Sequence, residues 1–170
     1  GYEVVVYDLR PSPYLQKRQN MIVGDILDED LVSKSIKGCD FVYNFAGIAN
    51  LDDATTLPLE TARQNILGTL ILLEQSRRAN VKRFVYASTI YVHSSKGGFY
   101  RCSKQAAENY IEEYQKKYGL NYTILRYGTL YGSRANEKNS VYRYLHMALT
   151  QRRLICQGSL DALREYIHVK

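Results

Sequence analysis

The stretch RFVYAST at residues 83–89, followed by YRCSK at residues 100–104, decides the fold expected for this chain. Residues 83–87 of the first segment are rich in apolar, β-branched and aromatic residues, which is typical of a strand buried on both faces of a parallel sheet, and Ser88-Thr89 follow this run. The second segment leads into a helical pattern over residues 103–118, and Gly119 follows it as a C-terminal cap. A buried strand that leads into an amphipathic helix predicts one half of a β-α-β unit.

The same alternation continues on both sides of this stretch. Other strand-like runs lie at residues 3–7, 19–23, 40–45, 122–126 and 153–157. Other helical patterns lie at residues 29–37, 59–79 and 139–151. Alternation of this kind predicts β-α-β units with right-handed crossovers. We therefore expect an α/β protein with a three-layer α/β/α Rossmann-type fold and a mostly parallel sheet.

The composition is that of a globular domain, with 45% apolar and 24% charged residues. No apolar run reaches the roughly 20 residues of a membrane span, so no membrane partner is expected. Three scattered cysteines predict neither a disulfide framework nor a metal site, and favour a reducing, cytoplasmic setting. The net charge of +6 is spread along the chain without interleaved aromatic residues. This favours an anionic substrate or simple solubility over a nucleic-acid partner.

Tyr100 and Lys104 are the candidate catalytic pair. Residues four apart on a helix share a face, so the ammonium is expected beside the phenol. The positive charge should favour the phenolate and lower the pKa of Tyr100 towards working pH. A hydroxyl at the preceding strand end, from Ser88 or Thr89, can hold the substrate oxygen. The alternative is that Tyr100 and Lys104 are an exposed helix pair without function. The chain contains 16 tyrosines, so a tyrosine four residues before a lysine can occur by chance.

Asp8, at the tip of the first strand-like run, is the candidate for cofactor selection. An acidic residue there can accept hydrogen bonds from the adenosine ribose hydroxyls and repels a 2′-phosphate, which favours NAD over NADP. Arg10 lies close by and could contact that phosphate, so NADP remains the less favoured option. The alternative is that Asp8 only forms a turn.

Two further strand ends are candidates for the cofactor site. Gly24-Asp25-Ile26 follows the second run, where an adenine edge would lie in a doubly wound sheet. The alternative is a helix N-terminus capped by Asp25 or Asp28. Phe45-Ala46-Gly47 ends the third run, where small residues let a ligand approach the backbone. The alternative is a plain turn.

The ordered motifs resemble the extended short-chain dehydrogenase/reductases, and more narrowly their NAD-dependent epimerase/dehydratase branch. The resemblance extends over nearly the whole chain. Its motifs are Asp8, Gly24-Asp25-Ile26, Phe45-Ala46-Gly47, NILGT at residues 65–69, Ala87-Ser88-Thr89, Tyr100-x-x-x-Lys104, LRYGTLYG at residues 125–132 and REYIHV at residues 164–169.

The resemblance implies a role for each matched residue. Tyr100 is the general base, Lys104 also holds the nicotinamide ribose, and Thr89 positions the reacting sugar oxygen. Thr129, with Thr89, is expected to bind substrate. The expected cofactor-binding residues are Asp8, Arg10, Asp25, Ile26, Phe45, Ala46, Gly47, Gln64, Asn65, Ser88, Tyr100, Lys104 and Tyr127.

The chain departs from the family pattern at three places. Ile90-Tyr91 stand where 4,6-dehydratases carry Asp-Glu after the catalytic threonine, so no carboxylate is available there to assist loss of water. Thr129 replaces the usual asparagine that meets the substrate diphosphate. The segment between Thr89 and Tyr100 is shorter than usual, so part of the substrate loop is missing.

Residues 1–170 are expected to form a partial NAD-binding domain. The phosphate-binding glycine loop lies about 20 residues before the ribose-binding acid, so it is expected before residue 1, with the first strand of the sheet. An Asp usually follows the position of Lys170, so the small C-terminal substrate domain is expected to be largely absent.

The expected function is that of an NAD-dependent epimerase that acts on a nucleotide sugar through transient oxidation of a sugar hydroxyl. The alternatives are an NAD(P)-dependent sugar dehydrogenase or reductase of the same family, and a non-catalytic dinucleotide-binding protein on the same fold. The full-length enzyme is expected to be a homodimer.

Overall fold

The computed structural model describes residues 1–155, 163 and 165–170. The chain divides into two compact units, residues 1–125 and residues 126–170. Strands and helices alternate through the first unit, as the sequence predicts. The architecture is that of a Rossmann-type α/β fold, with parallel strands and flanking helices.

The strands of the first unit form two separate hydrogen-bonded sheets. Strand β1 (Val4–Asp8) pairs in parallel with β2 (Gln19–Val23), with Val4 opposite Gln19. Strand β3 (Phe41–Asn44) pairs in parallel with β4 (Arg83–Thr89), and β5 (Tyr122–Tyr127) lies on the other side of β4. β5 continues two residues past the boundary of the unit. All five strands agree with the predicted runs to within two residues.

The helices of the first unit also follow the predicted patterns, with local differences. Their bounds are α1 (Glu29–Ile36), α2 (Leu51–Thr56), α3 (Pro58–Ala62), a π-helical turn (Arg63–Leu67), α4 (Gly68–Arg78), a 3₁₀ turn (Ile90–His93) and α5 (Gly98–Tyr118). The single helix predicted over residues 59–79 is therefore a continuous run of three segments. The short helix α2 was not predicted.

Helix ends follow their local sequence. Asp28 caps α1, since its carboxylate accepts a hydrogen bond from the backbone N–H of Leu31 at 3.0 Å. The carboxylate of Asp25 instead accepts from the N–H of Leu27 at 2.9 Å, inside the turn that precedes the helix. Helix α5 ends at Gly119, whose φ of 72° is in the left-handed region. These contacts decide between the two capping residues considered for α1.

The core lies between β3, β4 and the helices. It is formed by Val32, Ile36, Val42, Leu73, Val81, Phe84, Tyr86, Ala107, Ile111 and Leu120. Six of the seven residues of β4 are buried or half-buried, as expected of a strand covered on both faces. β3 differs, because Val42 and Asn44 are buried while Phe41 and Tyr43 are exposed. The alternation shows that only one face of β3 is covered in the described part of the chain.

The second unit is small. Strand β6 (Thr129–Tyr131) pairs in parallel with β7 (Tyr166–His168), and α6 (Ser140–Gln151) is capped by Asn139. Neither three-residue strand was predicted, since such short segments have no visible periodicity. Of the strand expected at residues 153–157, residues 153–155 are not in a strand and the others lie outside the described residues. Within the described ranges, no helix combines the length and apolarity needed to cross a bilayer.

Candidate active site

The C-terminal end of β4 and the first turns of α5 bring the predicted catalytic residues together. Thr89 is the last residue of β4 and is buried. Helix α5 begins at Gly98, five residues earlier than predicted, so Tyr100 and Lys104 both lie on it. The early start depends on Gly97 and Gly98, whose φ angles of 98° and 48° few other residues adopt. Both Tyr100 and Lys104 are buried, which excludes an exposed helix pair.

Lys104 has only 5% of its surface exposed, and its ammonium is held from two sides. Its Nζ donates a hydrogen bond to the carbonyl oxygen of Ala87 at 2.9 Å, and lies 4.6 Å from the centre of the Tyr86 ring. The distance from Nζ to the centre of the Tyr100 ring is 5.8 Å. Burial lowers the pKa of Lys104 to about 8, and the negative charge of Glu108 opposes this change.

The pKa of Tyr100 lies above the ordinary tyrosine value, which is opposite to the direction expected from sequence. Burial is the largest cause, because it disfavours the phenolate. Hydrogen bonding with Thr89 lowers the pKa, and the neighbouring Tyr91 raises it. The spacing of the two residues could not show how deeply Tyr100 is buried, and burial decides the direction of its pKa.

Ser88 and Glu108 form a buried contact that was not predicted from the sequence. The Ser88 hydroxyl donates to Oε1 of Glu108 at 2.5 Å, across 20 residues of sequence. Both side chains are buried. The sequence feature that could have predicted this contact is the position of Glu108, four residues after Lys104 and therefore on the same face of α5. The contact joins the end of β4 to the helix that contains Tyr100.

Asn65 lies in the π-helical turn and links the loop after β3 to α5. Its Oδ1 accepts from the N–H of Ile48 at 2.7 Å, and its Nδ2 donates to the carbonyl of Ile48 at 3.0 Å and to the Ser103 hydroxyl at 2.9 Å. The Ser103 hydroxyl in turn donates to the carbonyl of Tyr100 at 2.8 Å. The predicted cofactor residue Asn65 thus holds two segments of the site in place.

Gly47 meets a specific steric requirement beside this amide. Its φ is 131°, and a Cβ built there would overlap the side chain of Asn65. Phe45, Ala46 and Gly47 are exposed at the C-terminal end of β3. A small, exposed segment at this position lets a ligand approach the backbone.

Asp8 and Asp25 both have local hydrogen bonds. One carboxylate oxygen of Asp8 accepts from the backbone N–H of Arg10 at 3.0 Å, so Asp8 forms the turn considered from the sequence. The hydroxyl of Tyr7 donates to the carbonyl of Asp25 at 2.7 Å. Asp8 and Arg10 are exposed and Asp25 is half-buried, so the turn contacts do not withdraw these residues from a ligand.

Residues that follow β2 and end β3 both contact the start of α4. Ile26, three residues after the end of β2, is buried against Gly68 of α4. Asn44, the last residue of β3, donates through Nδ2 to the hydroxyl of Thr69, the next residue of that helix, at 3.0 Å. Rossmann-type folds bind dinucleotides at the carboxyl ends of their strands. The cofactor roles of Asp25, Ile26, Phe45, Ala46 and Gly47 at these strand ends stay predictions.

Gln64, Tyr127 and Thr129 were also predicted to bind cofactor or substrate. Gln64 is half-buried and its amide donates to a carboxylate oxygen of Glu60 at 2.8 Å. Tyr127 ends β5, and Thr129 opens β6 in the second unit, where its N–H donates to the carbonyl of Glu165 at 2.9 Å. Their roles toward cofactor and substrate stay predictions.

The parallel α/β architecture and the buried Thr89, Tyr100 and Lys104 define a Rossmann-type domain of the short-chain dehydrogenase/reductase class. Residues 1–170 match the NAD dependent epimerase/dehydratase family, and the chain belongs to that family. The known members it resembles are named as epimerases and dehydratases, which are enzymes.

Solved and curated relatives support the same assignment. A crystal structure of UDP-glucose 4-epimerase from Thermotoga maritima, with UDP-glucose, has a TM-score of 0.88 and 29% identity over 99% of this chain and 62% of its own. UDP-glucose 4-epimerase from Thermus thermophilus, in complex with NAD, has a TM-score of 0.83 and 26% identity over 97% of this chain and 62% of its own. A dTDP-glucose 4,6-dehydratase of Mycobacterium tuberculosis is 29% identical over 88% of this chain and 50% of its own. The chain spans about half the length of the curated relatives it matches.

Proposed function

We propose that this chain is the NAD-binding part of an epimerase that acts on a nucleotide sugar through transient oxidation of a sugar hydroxyl. The single observation behind the proposal is the buried group formed by Thr89, Tyr100 and Lys104 at the end of β4. The relatives crystallised with UDP-glucose and with NAD support the choice of substrate class and cofactor.

Each of the three residues has a distinct task in this proposal. Thr89 hydrogen-bonds the reacting hydroxyl of the sugar and orients it towards Tyr100. Tyr100 accepts the hydroxyl proton as general base, and the buried ammonium of Lys104 stabilises the resulting phenolate charge. NAD, when bound, supplies the hydride acceptor. Epimerisation is complete when a hydride returns to the opposite face of the keto sugar and Tyr100 gives its proton back to the sugar oxygen.

The residues after Thr89 favour epimerisation over dehydration. Ile90 and Tyr91 carry no carboxylate, and Tyr91 lies close enough to Tyr100 to influence its pKa. Elimination of water needs an additional acid or base near the reacting centre. A sugar reductase of the same family is the second candidate, and net production or consumption of NADH would distinguish it from an epimerase.

The test is Tyr100→Phe in the protein incubated with a panel of nucleotide sugars, with products resolved by chromatography. The turnover number should fall by roughly 10²-fold or more, because the general base is lost. NAD affinity, measured by calorimetry, should stay close to that of the wild type. Tyr110→Phe is the matched control, since Tyr110 lies on the same helix with 45% of its surface exposed. Near-normal turnover of Tyr100→Phe would remove Tyr100 from the mechanism.

We also propose NAD rather than NADP as the cofactor, a cytoplasmic location and a homodimer. The exposed carboxylate of Asp8 at the tip of β1 supports NAD over NADP. The free cysteines Cys39 and Cys102 agree with a reducing compartment. Leu59 and Leu67 have 82% and 47% of their surface exposed on one helical run, which supports burial against a second copy. Light scattering measures the mass of the assembly.

A further inference from the structure

Glu108 is a carboxylate inside the protein, in line with the two catalytic residues of α5. Tyr100, Lys104 and Glu108 follow each other at intervals of four residues, so they occupy one stripe of the helix. Only 6% of the Glu108 surface is exposed. A buried carboxylate is costly unless hydrogen bonds or an opposite charge compensate for the lost hydration. The burial of the Glu108 carboxylate near a buried lysine therefore needs a physical explanation.

The contacts of Lys104 show what the carboxylate supplies. From β4 the ammonium meets the carbonyl oxygen of Ala87 and the ring face of Tyr86, both of them uncharged. On its own helix the centre of the Tyr100 ring lies 5.8 Å from Nζ, and the charge of Glu108, one turn further along, acts on the Lys104 pKa. The negative charge of Glu108 offsets part of the cost of burying this ammonium, since it raises the Lys104 pKa against the effect of burial.

Glu108 is also fixed relative to β4. The Ser88 hydroxyl donates to its Oε1, and Ser88 precedes Thr89 in the strand. The carbonyl that accepts from Lys104 belongs to Ala87, one residue earlier. Two adjacent residues of β4 are thus bound to two side chains one turn apart on α5. This arrangement sets the position of the strand end relative to the helix.

We propose that Glu108 is a positioning residue for the reaction, which holds Lys104 in its charged form and, through Ser88, keeps the end of β4 in place against α5. The inference rests on the proposed function for its catalytic consequence. Without the carboxylate, the ammonium of Lys104 loses its proton at lower pH. A neutral amine no longer favours the Tyr100 phenolate, so proton abstraction fails at lower pH as well.

The first test measures Lys104 directly. Protein labelled with ¹³C-lysine is titrated by NMR, with the Lys104 resonance assigned from Lys104→Arg. Glu108→Gln keeps the shape of the side chain and an oxygen that accepts from Ser88, but removes the charge. The pKa of Lys104 should fall by about 1 unit in this variant, and Glu108→Asp should recover most of the wild-type value.

Glu113→Gln is the matched control, because Glu113 lies on α5 with 65% of its side chain exposed and pairs with Lys116. It should leave the Lys104 titration unchanged. A merely structural role of Glu108 would leave the pKa of Lys104 unchanged in Glu108→Gln as well, and that result overturns the inference.

If Glu108→Gln does not fold, the wild-type protein still provides a test. The ¹³Cδ resonance of Glu108 should shift at the pH midpoint of Lys104, because the carboxylate senses loss of the neighbouring charge. A Glu108 resonance that shows no change at that midpoint overturns the inference.

The catalytic consequence is measured separately in the pH dependence of kcat. The alkaline limb should move to lower pH by about 1 unit in Glu108→Gln, and should not move in Glu113→Gln. An alkaline limb that stays in place while the Lys104 pKa falls overturns the positioning role. Normal turnover of Tyr100→Phe, by contrast, contradicts the proposed function and leaves the titration of Lys104 intact.

Discussion

Replacing Lys104 with methionine should change how the stability of the protein depends on pH. The pKa of this lysine falls from the ordinary 10.5 to about 8 in the folded protein, with burial as the first cause. Between these two values the unfolded chain binds one more proton than the folded one, so the free energy of unfolding rises with pH. At about 1.4 kcal/mol per pKa unit, the difference corresponds to about 3 kcal/mol.

Below pH 8 both states carry the charge, and the folded protein pays the full desolvation cost. Methionine fills a similar volume without a charge. The difference in unfolding free energy between wild type and Lys104→Met should therefore shift by about 3 kcal/mol in favour of the wild type from pH 7.5 to pH 10.5. Part of the variant's advantage at pH 7.5 is offset by the lost hydrogen bond to Ala87.

Urea denaturation followed by circular dichroism at several pH values measures this difference. Groups outside the site that titrate in the same range contribute equally to both proteins and cancel. Lys117→Met is the control, because Lys117 is exposed on the same helix, and its curve should run parallel to that of the wild type. Parallel curves for wild type and Lys104→Met would refute the burial of a charged Lys104.

Three other substitutions test separate contacts. Gly47→Ala should lower the free energy of unfolding more than Gly38→Ala does, with a difference of about 1 kcal/mol or more between the two variants. Both glycines have positive φ, but only Gly47 is crowded by Asn65. Parallel urea titrations measure the difference. Asp28→Ala should cost about 1 kcal/mol through loss of the α1 cap, measured in the same way, and an unchanged midpoint would contradict the cap. Asp8→Ala should weaken NAD and relax discrimination against NADP in calorimetry, whereas tighter NADP binding by the wild type would favour Arg10 as the selecting residue.

The local features of this chain could be predicted from its sequence because they depend on short-range physics. Strand-forming residues and helical periodicity give the order of the longer elements, and Gly119 marks the end of α5. The spacing of Tyr100 and Lys104 puts them on one helix face whatever surrounds that helix. The π-helical turn could not be predicted in this way. It accompanies the buried Asn65, whose side chain is bonded to Ile48 and Ser103, residues distant in sequence.

The sequence by itself determined the order of the longer strands and helices and which of their residues share a face. Only the tertiary structure decided the electrostatics of the site, because desolvation depends on what packs around a group. Burial raises the pKa of Tyr100 and lowers that of Lys104, and no spacing rule contains that information. The bond between Ser88 and Glu108 likewise exists because β4 and α5 pack together across 20 residues of chain. Contacts between elements distant in sequence thus set the charge balance on which the proposed chemistry depends.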